Sequence, residues 1–331
     1  MLTVSPHNIA KDLLAGPRKR GVLMTVAVST LLVLMGLALH MMTLTPLFLP
    51  LRTYRIIASA CAGTALALAG LLLQAVTQNV LAEPSLLGLS AGAYMLTGLA
   101  YLLGYPLIYY RYGLTLIASS GALLGLSLTL AVYRLVGGYG SLELILSGIA
   151  VSSALIGLGE LIAYIVYTLW NIPLIAMSTG TLAYTLPSDA LILSAIAIVG
   201  LSYTLISAKS LNALQFGDVH AQSLGYAPRR TRIISSLVAS LLTGAVVATC
   251  GPIPFIGLVA PNIARSMIGS ENRLLAITSA YLGASILLFS DSLLKLVGTM
   301  YGLGELPVGL LTGVIGGVFL ATSLKRVKRD G

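Results

Sequence analysis

The chain has 331 residues, of which 57% are hydrophobic and 9% charged, and it carries a formal charge of +9. An ordinary soluble domain is about 25% charged, so water is not the main solvent of this protein. Its basic residues lie between apolar stretches instead of crowding one water-exposed face, so the charge makes no case for a nucleic-acid partner.

Crossing a bilayer as a helix takes roughly 20 apolar residues. Ten stretches qualify: 21–42, 54–76, 86–104, 113–136, 143–169, 188–207, 231–249, 253–268, 274–294 and 306–324. The first follows a basic segment, but it is too long for a typical signal-peptide core and no A-x-A pattern follows it, so it reads as the first crossing. Tyr101, Tyr105, Tyr109, Tyr110 and Tyr112 surround the turn after the third span, where amphipathic rings rest at headgroup depth. Cys61 and Cys250 lie near the ends of spans and read as packed or lipid-facing thiols. Glycines recur four residues apart, at Gly88 and Gly92, Gly121 and Gly125, and Gly309, Gly313 and Gly317. That spacing lets helix backbones approach closely in lipid.

Ten crossings place both termini on one side. Fifteen Lys and Arg residues fall on that side, in the terminal segments and inner connections; the other side has Arg52, Arg55, Arg111 and Lys295. Basic loops stay in the cytoplasm, so both termini are predicted to be cytoplasmic in a multi-pass cell-membrane protein. No linker or composition shift divides the chain, and residues 1–331 read as one transmembrane domain.

The long inner connection, residues 208–230, has the chemistry of a structured knob. Ser210 is predicted to cap a short helix over Leu211 to Gln215, and Asp218 a second over Val219 to Leu224, with Gly225 at its C′ position and Pro228 ending it. Leu211, Leu214, Phe216, Val219 and Leu224 exceed what a solvated loop needs. They suit a protein partner, the alternative being a knob that rests on the membrane.

Within the fifth span Glu160 is an ionisable group at depth, costly there and therefore a candidate pathway residue; a protonated acid bonded to a neighbouring helix accounts for it equally well. Glu143 suits a helix start. Gly138, Tyr139, Gly140 and Ser141 make a flexible inner turn.

The sequence contains no H-E-x-x-H, no paired-cysteine metal site, no G-x-S-x-G elbow and no phosphate loop. The chain is therefore not expected to be an enzyme or to bind a metal or cofactor, which leaves a channel, an ion-coupled carrier, or a pore moved by a separate ATPase. An ion-coupled carrier needs intramembrane charges and repeated broken helices, and Glu160 is the one candidate for such a relay.

Two blocks favour the separate ATPase: QNVLAEPSLLGLSAG (Gln78 to Gly92) and GPIPFIGLVAPNIARSMIG (Gly251 to Gly269). Together with Leu51, Arg52, Arg55, Ala69, Gly70, Gln74, FGDVHAQSLGY (Phe216 to Tyr226) and ELPVGLLTGVIGGVFL (Glu305 to Leu320), they resemble the FecCD-type permeases, the membrane subunits of ABC importers for vitamin B12, ferric siderophores and haem. Val80 departs from the family's proline and Asn262 from its histidine. The external W-x-x-G-S-L pattern survives only as Met177, Gly180, Thr181 and Leu182. The resemblance implies an all-α homodimeric type II importer fold with about ten helices per subunit. It also implies two ATPase subunits holding ATP and Mg, and an extracytoplasmic binding protein. Phe216, Gly217, Asp218, Val219, Ala221, Leu224 and Gly225 would then couple to the ATPase, Arg52, Arg55 and Lys295 would dock the binding protein, and Gly138 to Ser141 would form the inner gate. The cargo would be a metal chelate, with an oxyanion of the molybdate kind as a further possibility in the family.

Overall fold

The computed structural model describes residues 17–42, 49–138 and 140–330. The described residues are helical throughout apart from their connections. The helices are α1 (Pro17–Met42), α2 (Leu49–Thr77), α3 (Leu89–Leu102), α4 (Arg111–Leu135), α5 (Ser141–Trp170), α6 (Pro187–Leu214), α7 (Asp218–Ser223), α8 (Pro228–Cys250), α9 (Ile256–Ile268), α10 (Asn272–Tyr301) and α11 (Val308–Asp330). Every apolar stretch picked out in the sequence coincides with one of them. Seven are long and apolar enough to cross a membrane; α3, α9 and α11 have shorter apolar lengths.

The short helices shape the interior. At 1.5 Å per residue, α3 and α9 cover about 20 Å of a hydrocarbon layer about 30 Å thick. Irregular backbone in segments 78–88 and 251–255 completes those crossings, and at that depth the protein itself must satisfy its polar groups. Glu83, 1% exposed, accepts backbone hydrogen bonds from Ser85, Leu86 and Phe255, tying the two segments together. Thr181 N–H donates to Cys250 O at 2.7 Å and Gly309 N–H to Gly180 O at 3.1 Å.

Helix α2 is the axis of the bundle, packed against α6, α8, α9 and α10. Its Ala- and Gly-rich faces permit this. A Cβ on Gly70 would lie 2.0 Å from Gly257 O, and one on Gly63 2.2 Å from Gly283 O. Between α3 and α4, Gly88 and Gly92 lie against the backbone of Gly125 and Gly121, so the glycine spacing here packs helices within one chain. In α11 it does something else: Gly309 is pressed against Thr179 O, while Gly313 and Gly317 face open space.

Helices α5 and α11 are peripheral. Helix α5 packs on α3, α4 and the 174–177 turn, and α11 mainly on α9 and α10. Their outward faces carry Leu142, Leu146, Ile149, Leu158 and Leu161, and Leu310, Val314 and Val318.

One expected element is absent. No separate helix covers Leu211 to Gln215, because α6 runs unbroken to Leu214. Leu211 and Leu214 are buried and continue its packed face, and Ser210 Oγ bonds back to Ser207 O instead of capping a new start.

Candidate functional site

The short helix α7 stands at one end of the bundle. Gly217, at φ 98°, is its N-cap, and Gly225, at φ 81°, occupies the left-handed position just past its end. Both conformations suit glycine. Asp218 was expected as the cap; it is instead the first helical residue, and its carboxylate turns to Arg232 of α8, Oδ1 to Nη2 2.7 Å. Pro228 opens α8 at its first turn. Ala221 is fully buried and seats the helix, whereas Phe216, Val219 and Leu224 are 74%, 83% and 56% exposed. The five apolar residues of the connection therefore divide, Leu211 and Leu214 inward and the other three outward.

The knob is braced from beneath. Arg232 also donates through Nη1 to Val76 O at the end of α2, and Gln78 Nε2 donates to Leu214 O. Asn79 Nδ2 reaches Ser141 O, at 3.3 Å, where α5 begins. Gly138 N–H bonds Tyr133 O, Gly140 is the extended N-cap of α5, and Glu143 lies in its first turn, as expected. Tyr139 lies outside the described residues.

At the opposite end, Arg55 is not the free external cation that its position suggested. It grips Asp291 bidentately, Nε to Oδ2 2.9 Å and Nη2 to Oδ1 2.8 Å, and reaches Glu305 Oε2 through Nη1 at 2.6 Å. Arg55 is 7% and Asp291 2% exposed. The cluster ties α2 to α10 and to the 302–307 connection. Arg111, another of the four basic residues expected outside, faces the buried Asp189, Nε to Oδ1 3.6 Å. Arg55 and Arg111 thus both face intramolecular carboxylates. Lys295, one turn beyond Asp291, lines a surface cleft with Glu305. The side chain of Arg52 lies outside the described residues.

Between these ends Glu160 lines a cavity of about 280 Å³ shared with Ser85, Ser90, Tyr94, Ser178 and Thr179. By helical rise it sits about 15 Å from the Trp170 end of α5. Its carboxylate makes no hydrogen bond or ion pair among the described residues. The α9 start beside this cavity is held unusually: Phe255 has φ 68°, a strained conformation for a bulky residue. Glu83 takes its N–H, and its ring side presses on Gly316 of α11.

From residue 22 to residue 326 the sequence matches the FecCD transport family. The chain belongs to that family. It is 33% identical over 296 residues to the hemin transport system permease HmuU of Yersinia pestis, covering 86% of this chain and 84% of that one. Identity is also 33% over 273 residues to the Fe(3+)-citrate permease YfmD of Bacillus subtilis strain 168 (81% and 78% covered). The iron(3+)-hydroxamate permease FhuB of the same organism matches at 33% over 280 residues (84% and 71%). The fold is similar to a structure described as an inward-facing, metal-chelate type ABC transporter, with TM-score 0.74 and 23% identity over 91% of this chain and 99% of that one. It is also similar to PsaBC from Streptococcus pneumoniae, with TM-score 0.59 and 16% identity over 82% and 90%. This FecCD protein is thus a multi-pass membrane subunit of the ABC permease type.

Placed in the FecCD frame, the two departures at Val80 and Asn262 meet in space. Asn262 Nδ2 donates to Val80 O at 2.8 Å. Asn262 Oδ1 accepts from Arg265, whose other arm bonds Gln74 Oε1, and Gln74 Nε2 bonds Gly257 O. This chain of polar groups joins α2 to α9. Sequence reasoning assigned no role to Arg265, Gln74, Glu83 or Arg232; the available signal was that each is a polar side chain in or beside an apolar stretch.

Proposed function

We propose that this FecCD protein is the pore-forming subunit of a binding-protein-dependent ABC importer for a metal chelate of the ferric siderophore, haem or cobalamin kind. Two copies would enclose one path, two ATPase subunits holding ATP and Mg would seat against α7, and an external binding protein would deliver cargo. Both termini are cytoplasmic in this reading, supported by fifteen basic residues on their side against four on the other. The chain itself binds no nucleotide and carries out no chemistry. A second copy is supported by the uncovered apolar faces of α5 and α11 and by the open Gly313 and Gly317.

The observation that carries the reading is α7. Three large apolar side chains stand exposed on and beside this short helix, Val219 within it and Phe216 and Leu224 at its two ends; its first residue is salt-bridged to Arg232, which also holds the end of the central helix. A push on α7 then reaches α2 without being absorbed in a slack loop. Movement of packed helices between two arrangements is how such interfaces switch. Residues 208–230 are the coupling segment, Gly138 to Ser141 form the inner gate, and Arg52 and Lys295 meet the binding protein. The deciding experiment reconstitutes the chain with its ATPase in vesicles. Stimulation of ATP hydrolysis by a chelate-loaded binding protein is expected; cargo uptake that survives without the ATPase and collapses with the proton gradient would overturn the reading.

A further inference from the structure

The cavity containing Glu160 has an electrical character of its own. It is built by α3, α5, the 178–179 connection, the 252–254 turn and the start of α11, and among the described residues none that lines it is basic. Besides the carboxylate, its polar groups are hydroxyls. Ser90 Oγ is among them, 97% buried and without a hydrogen-bond partner. The adjoining cavity, about 170 Å³, contains Arg111, but Tyr94 is the one lining residue the two share, and Arg111 faces Asp189.

Helix starts could oppose the carboxylate, since α3, α9 and α11 all begin near this cavity and a helix N-terminus carries roughly half a positive charge. Several N–H groups in their first turns are already engaged. Leu89 and Ser90 donate to Pro84 O, Gly309 to Gly180 O, and Leu258 and Val259 to Phe255 O. The dipole effect also fades within one turn. Glu160 is left as the one carboxyl group among the described lining residues.

We propose that this cavity is a cation-preferring niche on the translocation path, one that receives a positively charged or hydroxyl-bearing edge of the cargo and disfavours polyanionic chelates. The inference rests on the transport reading above and narrows its substrate class. It is tested on the full chain in lipid nanodiscs with Ile156→Cys, which places a thiol in the cavity one helical turn from Glu160. Cationic trimethylammonioethyl methanethiosulfonate and anionic sulfonatoethyl methanethiosulfonate are compared by labelling rate. The parent chain, whose Cys250 is buried, serves as background.

Attraction of one reagent and repulsion of the other by a charge about 6 Å away should make the cation-to-anion rate ratio about tenfold higher with Glu160 than with Glu160→Gln. Glu160→Asp should keep the preference. An equal ratio in all three, or no labelling of Cys at 156 by either reagent, overturns the inference. Stimulated ATP hydrolysis, measured separately, reports on the importer reading, so the two can fail independently.

Discussion

Asp218 and Arg232 stand 2.7 Å apart across the turn between α7 and α8, and the second arm of the same guanidinium holds Val76 O. One side chain therefore joins the knob to the central helix. The planar fork holds separate donors toward the two acceptors in a fixed geometry that a lysine ammonium lacks.

Arg232→Lys should therefore leave the chain folded, because an exposed ion pair is worth about 0–1 kcal/mol. Stimulated ATP hydrolysis should nevertheless fall roughly fivefold or more, the scale of a typical coupling energy. Basal hydrolysis should not change. Measuring both in the reconstituted complex checks this, and normal stimulation would remove Arg232 from the transmission path.

Val219→Asp puts a charge into the exposed apolar face of α7. Surface changes usually alter stability by less than about 0.5 kcal/mol, so insertion and melting should match the parent. Affinity for the ATPase subunit should drop by about tenfold or more, as at a binding hot spot, which co-purification and titration would read. Val219→Pro should also abolish stimulated hydrolysis while leaving membrane insertion intact.

Arg55 and Arg52 should behave differently from each other. Asp291→Ala leaves the Arg55 guanidinium buried without its main partner, a change that costs about 3–5 kcal/mol and should lower the melting temperature of the detergent-solubilised chain. Arg52→Glu should leave melting alone and instead slow binding-protein association and flatten its salt dependence, the signature of a rim charge. Stopped-flow association at two ionic strengths separates the two residues.

Gly70→Val tests the central packing. Its side chain would have to enter space occupied by Gly257 backbone, and backbone cannot step aside as a flexible side chain can. A loss of at least about 1–3 kcal/mol is expected from such overpacking. Gly313→Val, facing open space in one chain, should leave the isolated chain's melting unchanged and weaken self-association, as crosslinking would show.

The crossings were legible because hydrophobic length is a strong signal, and Gly225 marked the end of α7 because few residues tolerate its φ. The nature of Asp218 and Arg55 was not legible. Both were recognised as charged residues in meaningful places, yet their partners lie 14 and 236 positions away, and no local pattern encodes a pairing across the fold. The misplaced helix at Leu211 has a similar cause. Ser210 carries a capping side chain, but tertiary burial of Leu211 and Leu214 outweighed that preference and drew α6 onward. Cys61 and Cys250, read as packed or lipid-facing, are free thiols, one partly and one fully buried.

The clamp at Arg55 also sets an order of assembly. At about 5–20 residues per second of synthesis, the second helix exists for roughly 10–50 s before the chain reaches Asp291. Through that interval its guanidinium has neither of its eventual carboxylates. A nascent chain halted before the tenth helix would keep an orphan cation near the start of its second helix, a mark by which membrane quality control could distinguish unfinished subunits from finished ones.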